Sequence, residues 1–396
     1  MFSENSGSRG LVLIVSLAWL LGGCATPELR GTGDLGVVIE RSSGSVQVID
    51  ASARSILGKI EGLGDLSHAS VVFSRDGRFG YVFGRDGGLS KIDLLTRSMV
   101  KRINQAGNSI GGAVSQDGRW VAAQNYSPGG VKVFDAHTLA LVADVPAEYA
   151  PGKLSKVVGL VDAPGNRFVY SLFDGGEIWV LDPAAAPAQR VQRFRGIGRE
   201  PYDGFITPDG RFYLAGLFGE DGVALLDLWH LDAGVKRILP NYGKGEEKLP
   251  VFKMPHLRGW AVAGRQAYLP AIGRHEVLIV DTASWQEVGR VKLAGQPVFA
   301  VARPDGRQVW VNFAFPDNGK VQVIDTETRS ILETLEPGRA VLHLEFAPRG
   351  GEVWISSRDD NRVTIYDTQT RKPLATLTAQ HPSGIFLTSR AHRMGF

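Results

Sequence analysis

The chain has 396 residues, of which 43% are hydrophobic and 21% are charged, and its 49 glycines and 20 prolines are typical of a globular protein rich in turns. This length would allow two average domains, although all-β folds often use it as a single unit. The formal net charge is only +3 and no run of five basic residues occurs, so we expect no nucleic-acid partner.

The N-terminal segment has the features of an export signal. Arg9 is followed by an apolar run over residues 11–21, which is too short to span a membrane and is typical of a signal peptide. The next residues, Leu21-Gly22-Gly23-Cys24, fit the bacterial lipobox. We therefore predict a lipoprotein signal peptide over residues 1–23 and a lipidated tether over residues 24–34.

Cys24 is the only cysteine of the chain, and its position favours lipidation over a free thiol. Once it carries a lipid, no thiol is left for a disulfide, for a cysteine-ligated metal or for a covalently attached c-type heme. Any cofactor is then expected to bind non-covalently. Ala25 at the next position predicts sorting to the outer membrane, so the expected location is the periplasm, with the lipid anchor in the membrane.

The rest of the chain repeats one unit eight times. Short apolar runs that end in aspartate recur along it, and successive copies are 42 to 47 residues apart, with one longer step of 54. This spacing matches a four-stranded propeller blade and exceeds the shorter solenoid repeats. The eight runs are VQVID to Asp50, LSKID to Asp93, VKVFD to Asp135, IWVLD to Asp182, VALLD to Asp227, VLIVD to Asp281, VQVID to Asp325 and VTIYD to Asp367.

Four units also contain a tight Asp-Gly or Pro-Asp-Gly turn before that aspartate, and two others carry a glycine-containing variant; such turns suit a hairpin between neighbouring strands. The sequence therefore predicts an all-β fold, an eight-bladed β-propeller with four-stranded antiparallel blades over residues 35–396. The first run has little strand-like sequence before it except LGVVIE, and HPSGIFLTSR follows the last complete unit. We expect the N- and C-terminal strands to share one blade, because this leaves no sheet edge unpaired. The long step contains residues 243–248, which we expect to form an exposed loop.

Two sets of loop residues are expected to meet at one end of the central channel. Residues just before the innermost strands are His68, Asn108, Lys156, Arg199 or Glu200, His256, Gln296 and Arg339, with His381 in the closing segment. Residues between the second and third strands are Arg85, Tyr126, Asp174, Arg274 and Arg358. His68 opens the second blade and His256 the sixth, so the two imidazoles should face each other across the axis. The Arg and Lys side chains would suit the carboxylates of a planar anionic ligand.

Simpler explanations exist for the same residues. A histidine at a loop–strand junction is more often a polar surface residue, and the arginines are equally well explained as solvated charges. His343 lies inside a strand-like run, which predicts a structural, hydrogen-bonded imidazole. Asp50 and its counterparts are expected to form turns. The sequence has no Walker loop, GxSxG elbow, HExxH or CxxCH motif.

The second blade resembles the opening blade of the d1-heme domain of cytochrome cd1 nitrite reductase. The similar residues are the run HASVVFSRDGRF from His68, then Gly84-Arg85-Asp86 and Ile92-Asp93-Leu94, and more weakly Asn125-Tyr126-Ser127-Pro128 and Pro255-His256-Leu257-Arg258-Gly259-Trp260. The likeness covers nearly all of the chain after residue 30. With a lipobox and without a cytochrome c domain, the chain is most similar to the periplasmic heme d1 biosynthesis proteins of this family.

The resemblance implies that the chain binds heme d1 or its precursor dihydro-heme d1, with His68 as the axial ligand of the heme iron. It implies catalytic roles for His256, Tyr126 and Asp174, and cofactor contacts for Arg85, Asn108, Lys156, Arg199 and Arg339. Gln296 stands where the reductase has a second distal histidine, and no c-type heme is present. Nitrite reduction is therefore not expected.

Three functions remain open from the sequence. The first is an enzyme of a late step of heme d1 biosynthesis, such as a dehydrogenation or a side-chain modification. The second is a carrier that delivers the cofactor to cytochrome cd1 nitrite reductase, and the third is a generic propeller lipoprotein that binds peptides or glycans. The expected partners are the nitrite reductase and other heme d1 maturation proteins, and the sequence leaves homodimerisation open.

Overall fold

The computed structural model describes residues 30–242 and 259–395, together with Met1. The chain divides into two units, Met1–Gly31 and Thr32–Phe396, and the strands of the described residues all lie in the second. In the described part, no helix is long and apolar enough to cross a membrane.

Three sequence predictions lie outside the described residues: the lipidation site Cys24, the loop at 243–248 and the candidate catalytic residue His256. The boundaries of the signal peptide and of the tether also stay predictions.

Eight four-stranded antiparallel sheets form the blades, which confirms the fold predicted from the repeat. Blade 1 contains β1 (Leu35–Glu40), β2 (Ser45–Asp50) and β3 (Ser55–Ile60). Blade 2 contains β4 (Ser70–Phe73), β5 (Phe79–Phe83), β6 (Gly88–Asp93) and β7 (Ser98–Asn104). Blade 3 contains β8 (Asn108–Val114), β9 (Trp120–Ser127), β10 (Gly130–Asp135) and β11 (Leu141–Val145).

A two-stranded hairpin, β12 (Glu148–Ala150) and β13 (Lys153–Leu154), separates blades 3 and 4 and was not predicted. Blade 4 contains β14 (Val157–Ala163), β15 (Arg167–Leu172), β16 (Glu177–Leu181) and β17 (Val191–Phe194). Blade 5 contains β18 (Pro201–Ile206), β19 (Phe212–Leu217), β20 (Val223–Asp227) and β21 (Val235–Ile238). Blade 6 contains β22 (Ala261–Ala263), β23 (Gln266–Ala271), β24 (Glu276–Asp281) and β25 (Gln286–Lys292).

Blade 7 contains β26 (Pro297–Ala302), β27 (Gln308–Phe313), β28 (Val321–Asp325) and β29 (Ile331–Leu335). Blade 8 contains β30 (Val341–Phe346), β31 (Glu352–Ser357), β32 (Arg362–Asp367) and β33 (Pro373–Thr378), and the last strand is β34 (Pro382–Leu387). Short 3-10 turns lie at Pro187–Gln189, Leu231–Ala233, Ile272–Arg274, Arg358–Asp360 and Thr388–His392.

The ring closes through the two ends of the propeller chain. β34 pairs antiparallel with β1, with Val37 opposite Phe386, and becomes the innermost strand of blade 1. The predicted sharing of one blade by the N- and C-terminal strands is therefore confirmed.

The hydrophobic core lies between the blades rather than at one centre. Each pair of neighbouring blades buries one apolar cluster; Val48 and Phe73 join blades 1 and 2, and Val38 and Ile365 join blades 8 and 1. A blade is thus covered on both faces. This explains why strands such as β1 are buried at every position and do not alternate between apolar and polar residues.

The repeated aspartates form turns, as predicted. The carboxylate of Asp93 accepts hydrogen bonds from the backbone of Leu95 and Thr96 at 2.9 and 3.1 Å, and Arg78 of the preceding hairpin donates to it at 2.7 Å. Asp325 and the other counterparts repeat these backbone contacts. These turns lie at one end of the propeller, called here the far end; the opposite end is the mouth.

The segment after β34 runs across the far end. Arg75 of blade 2 donates through Nη1 to the carbonyl of Ala391 at 2.5 Å, and the backbone N–H of Gly395 donates to Asp162 of blade 4 at 2.8 Å. Burial raises the pKa of the Asp162 carboxyl above its usual value. The C-terminal residues therefore tie together blades that are not neighbours.

Candidate functional site

The two loop sets expected at the mouth do meet there. In four blades, the backbone N–H of a residue before the innermost strand donates to a carboxylate in the loop between the second and third strands. The pairs are Asp65 with Asp86 (3.3 Å), Lys156 with Asp174 (2.9 Å), Arg199 with Glu220 (3.1 Å) and Arg339 with Asp360 (2.9 Å).

Asp174 is therefore one copy of a repeated loop-fixing carboxylate. It accepts from the backbone of Lys156, lies 3.7 Å from the Nζ of the same lysine, and lies 3.5 Å from the hydroxyl of Ser155. These contacts give Asp174 a structural role in holding the loop, which is enough to explain why an aspartate stands at this position. Its catalytic role stays a prediction.

A cavity of about 200 Å³ opens below the mouth. Its walls include His68 of blade 2, Tyr126 of blade 3, Tyr202 and Asp203 of blade 5, and His343 and Arg390 deeper in the channel. His68 is exposed and lines the cavity, so its imidazole is accessible to a ligand. Of the residues predicted from the sequence, this cavity brings together His68 and Tyr126.

The two tyrosines are linked. The Tyr126 hydroxyl donates to that of Tyr202, and the pKa of Tyr126 is raised by burial, by this contact and by the nearby charge of Asp203. Burial and Asp203 also raise the pKa of Tyr202. Both phenols therefore keep their protons at neutral pH and act as hydrogen-bond donors rather than as bases.

Asp203 reaches this wall through an uncommon backbone conformation. Its φ is 60°, a region that non-glycine residues rarely adopt, and it packs against Gly159 of blade 4, whose φ is 64°. A Cβ at position 159 would lie well under 3.0 Å from the backbone of Asp203. Bulges in β14 and β18 accompany the contact. Non-glycine residues held in this way concentrate at functional sites, so Asp203 joins the candidates, although no spacing or motif had indicated it.

Three arginines form a basic cluster at the mouth: Arg41, Arg85 and Arg358. They occupy the same loop in blades 1, 2 and 8. Burial, followed by the charge of Arg358 and, more weakly, of Arg85, lowers the pKa of Arg41, while Asp65 acts in the opposite direction. Guanidinium groups that repel one another attract carboxylates. Alignment of the repeats found Arg85 and Arg358; Arg41 was missed because the first blade is incomplete in sequence.

A second group of predicted residues lies on the rim. A cavity of about 630 Å³ is lined by Tyr149, Phe173, Asp174 and Arg199. The Lys156 ammonium lies 4.2 Å from the centre of the Phe173 ring, a cation–π contact. Lys156, Asp174 and Arg199 thus form a rim group apart from the His68 cavity.

The remaining predicted residues differ in whether their polar atoms already have hydrogen-bond partners within the protein. Arg339 is exposed and donates to Asp360 at 2.7 Å. In the part of the chain that the structure describes, buried oxygens of Asn108, Gln296 and Ser70 have no hydrogen-bond partner. Ser70 lines the mouth cavity, and the other two lie at or just before innermost strands. Unpartnered polar atoms at the mouth are what a site for a polar ligand requires.

Metal coordination by the protein alone is not indicated. Within residues 30–242 and 259–395, no group of three or more His, Cys, Asp or Glu side chains is placed to hold an ion. The exposed His68 suits axial coordination of a metal whose other ligands come from a macrocycle.

Comparison with known proteins fits this geometry. Residues 30–391 match the family described as cytochrome D1 heme domain. The protein NirF of Pseudomonas aeruginosa is 59% identical over 382 residues, which cover 96% of this chain and 97% of that protein. NirF of Stutzerimonas stutzeri is 58% identical over 385 residues, with coverage of 97% and 98%.

A solved structure described as dihydro-heme d1 dehydrogenase NirN in complex with DHE has 26% identity and a TM-score of 0.80, and the match covers 93% of this chain and 78% of that one. The chain belongs to the cytochrome D1 heme domain family and, within it, to the NirF proteins.

Proposed function

We propose that this protein of heme d1 biosynthesis binds dihydro-heme d1 or heme d1 at the mouth of its propeller, with His68 as the axial ligand, and supports a late maturation step. Family membership supplies the role in heme d1 biosynthesis and the ligand class. The observation that carries the finer proposal is the exposed His68 in the wall of a cavity that is also lined by Ser70, whose hydroxyl has no hydrogen-bond partner.

The charges of the mouth fit such a ligand. Arg41, Arg85 and Arg358 would hold the peripheral carboxylates, because clustered guanidinium groups gain most from a bound anion. Asn108 and Ser70 would contribute hydrogen bonds from the innermost strands. The rim group of Lys156 and Arg199 would contact parts of the macrocycle that extend beyond the cavity.

For the chemical step, the bound iron tetrapyrrole supplies the redox chemistry and the protein positions it. Tyr126 would keep its proton on the phenol oxygen and, with a ligand bound, would donate a hydrogen bond to the ligand instead of to Tyr202. His256 stays the predicted acid or base on the other face, and Asp174 a candidate on the rim. Asp203 adds an acceptor close to both tyrosines.

A carrier function is the second candidate. It is favoured by the exposure of His68, since a ligand bound at an open mouth can leave toward an acceptor protein. Cytochrome cd1 nitrite reductase and other heme d1 maturation proteins would be the partners. The lipobox at Cys24 supports anchoring in the periplasm, at the outer membrane.

A comparison of binding with turnover separates these functions. Wild type, Tyr126→Phe and His256→Ala would each be titrated with dihydro-heme d1 and then tested for conversion of the bound ligand. For an enzyme, the variants keep binding within about twofold but lose conversion at least about tenfold. For a carrier, conversion is absent and transfer to the reductase falls only as binding falls. A wild type that binds no tetrapyrrole would refute both.

A further inference from the structure

The far end of the channel contains a second cavity, which the proposed function does not use. Its volume is about 430 Å³, within the range of small-molecule sites. The walls include Phe205 and Trp260 of blades 5 and 6, and Phe299 and Phe346 of blades 7 and 8. Pro208 and Pro304 from far-end hairpins also line it, so it opens away from the mouth. We call it the far-end chamber.

The walls of the chamber are mainly aromatic. Trp260 and Phe346 are buried, and their rings, with Phe205 and Phe299, offer flat apolar surfaces. Met394 from the C-terminal segment adds a flexible apolar side chain. Such a lining favours a planar apolar molecule over a polar one.

Charge is unevenly distributed around the chamber. Deep inside, Arg390 donates through Nε to Glu345 at 2.7 Å, and the two buried charges compensate each other. At the opening, His392 and Arg393 are exposed, and no described carboxylate lies within ion-pair distance of either. Arg393 therefore gives the opening an uncompensated positive charge, which attracts an anionic group.

The inner wall of the chamber offers one oriented donor. The backbone N–H of Ile385 donates to Nδ1 of His343 at 3.2 Å, so the neutral imidazole carries its proton on Nε2. Phe299 and Phe386 hold the ring at centroid distances of 6.4 and 5.4 Å. The ring lines both this chamber and the mouth cavity, and so stands in the wall between them.

We propose that the far-end chamber is a second binding site, for a flat, mostly apolar molecule that carries one anionic group. The apolar part would stack among the aromatic walls, and the anionic group would lie at the opening beside Arg393. The site is separate from the mouth and does not depend on the tetrapyrrole proposal. Because His343 and Arg390 line both cavities, ligands at the two ends can influence each other's affinity.

The probe for this site is 1-anilinonaphthalene-8-sulfonate, a flat apolar anion whose fluorescence rises in apolar surroundings. It would be titrated into the folded protein lacking residues 1–24, without any tetrapyrrole. Arg393→Ala removes the exposed charge at the opening, and Ala302→Trp places a large ring in the chamber wall. Arg349→Ala is the matched control, an exposed arginine at the same end that does not line the chamber.

We expect saturable binding of one probe per chain, weakened about fivefold by Arg393→Ala, abolished by Ala302→Trp and unchanged by Arg349→Ala. Near-ultraviolet circular dichroism would verify that Ala302→Trp keeps its fold. Because Arg393 is exposed, Arg393→Ala tests the proposal even if Ala302→Trp unfolds the chain. The proposal would be overturned if the wild type showed no saturable probe binding, or if wild type and Arg393→Ala bound the probe with equal affinity. It would also be overturned if Arg85→Ala, at the mouth, abolished probe binding.

Discussion

Replacement of Gly159 by alanine tests the close contact that places Asp203 in the wall of the mouth cavity. The backbone at 159 has a φ of 64°, which costs a non-glycine residue about 1–2 kcal/mol. The new methyl group would also collide with the backbone of Asp203, and relief of such overpacking costs about 1–3 kcal/mol. Gly159→Ala should therefore lower the free energy of unfolding by about 2–5 kcal/mol.

The chain contains a matched control for the conformational part of this cost. Gly152, in the turn between β12 and β13, has a φ of 70°, and a Cβ there would meet no atom within 4 Å. Gly152→Ala should thus lose only about 1–2 kcal/mol. The difference between the two variants measures the contact between blades 4 and 5.

Urea unfolding followed by tryptophan fluorescence would give both values, with the change in midpoint converted through the slope of the wild type. Gly159→Ala should also weaken tetrapyrrole binding, because Asp203 and Tyr202 lie on the displaced segment. Equal stabilities of the Gly159→Ala and Gly152→Ala proteins would refute the reasoning, since the collision would then have no energetic effect.

Three further predictions concern charged groups. Burial, with a smaller effect of Arg390, lowers the pKa of His343 from 6.5 to about 3. Between these values the unfolded chain binds one more proton than the folded chain, so stability rises as the pH rises and is lost as the pH falls, by at most about 1.4 kcal/mol per pH unit. His343→Phe should lack this part of the slope in unfolding measurements from about pH 4 to 7, and an unchanged slope would contradict the assignment. Arg390→Met leaves Glu345 buried without its partner and should lower the free energy of unfolding by about 3–5 kcal/mol, measured by chemical denaturation. Adding Glu345→Gln should restore most of this stability, and a double variant no more stable than Arg390→Met would contradict the buried ion pair. Arg358→Ala should weaken tetrapyrrole affinity about tenfold at low ionic strength and much less at high salt, whereas a loss independent of salt would speak against a carboxylate contact.

The fold was predictable because its repeat is visible in local chemistry. Each blade needs a turn between its first and second strands and another after its third strand. Asp-Gly sequences and the terminal aspartate supply these turns, with side chains that hydrogen-bond to the backbone as Asp93 does. The hairpin β12–β13 was missed because it has neither signal. Its two short strands extend no blade and contribute to the rim.

The site was only partly predictable because side-chain direction depends on strand register. Counting from the turns placed Arg199 or Glu200 at the mouth of blade 5, and both line the rim cavity. Tyr202 and Asp203, which lie at a bulge in β18, line the mouth cavity and were not predicted. His343 was expected to be a hydrogen-bonded strand residue, and it is. Its position in the wall of two cavities follows from the bulge in β30, which no spacing in the sequence indicates.

The central claim is that the imidazole of His68 holds the tetrapyrrole at the mouth. It is tested most directly by a visible-absorption titration of the protein lacking residues 1–24 with dihydro-heme d1, in wild type and in His68→Ala. The account predicts a saturable spectral shift in the wild type whose position changes, with weaker affinity, in His68→Ala. Identical spectra and affinities for the two proteins would show that another residue binds the iron, and the absence of any shift would contradict a tetrapyrrole site at the mouth.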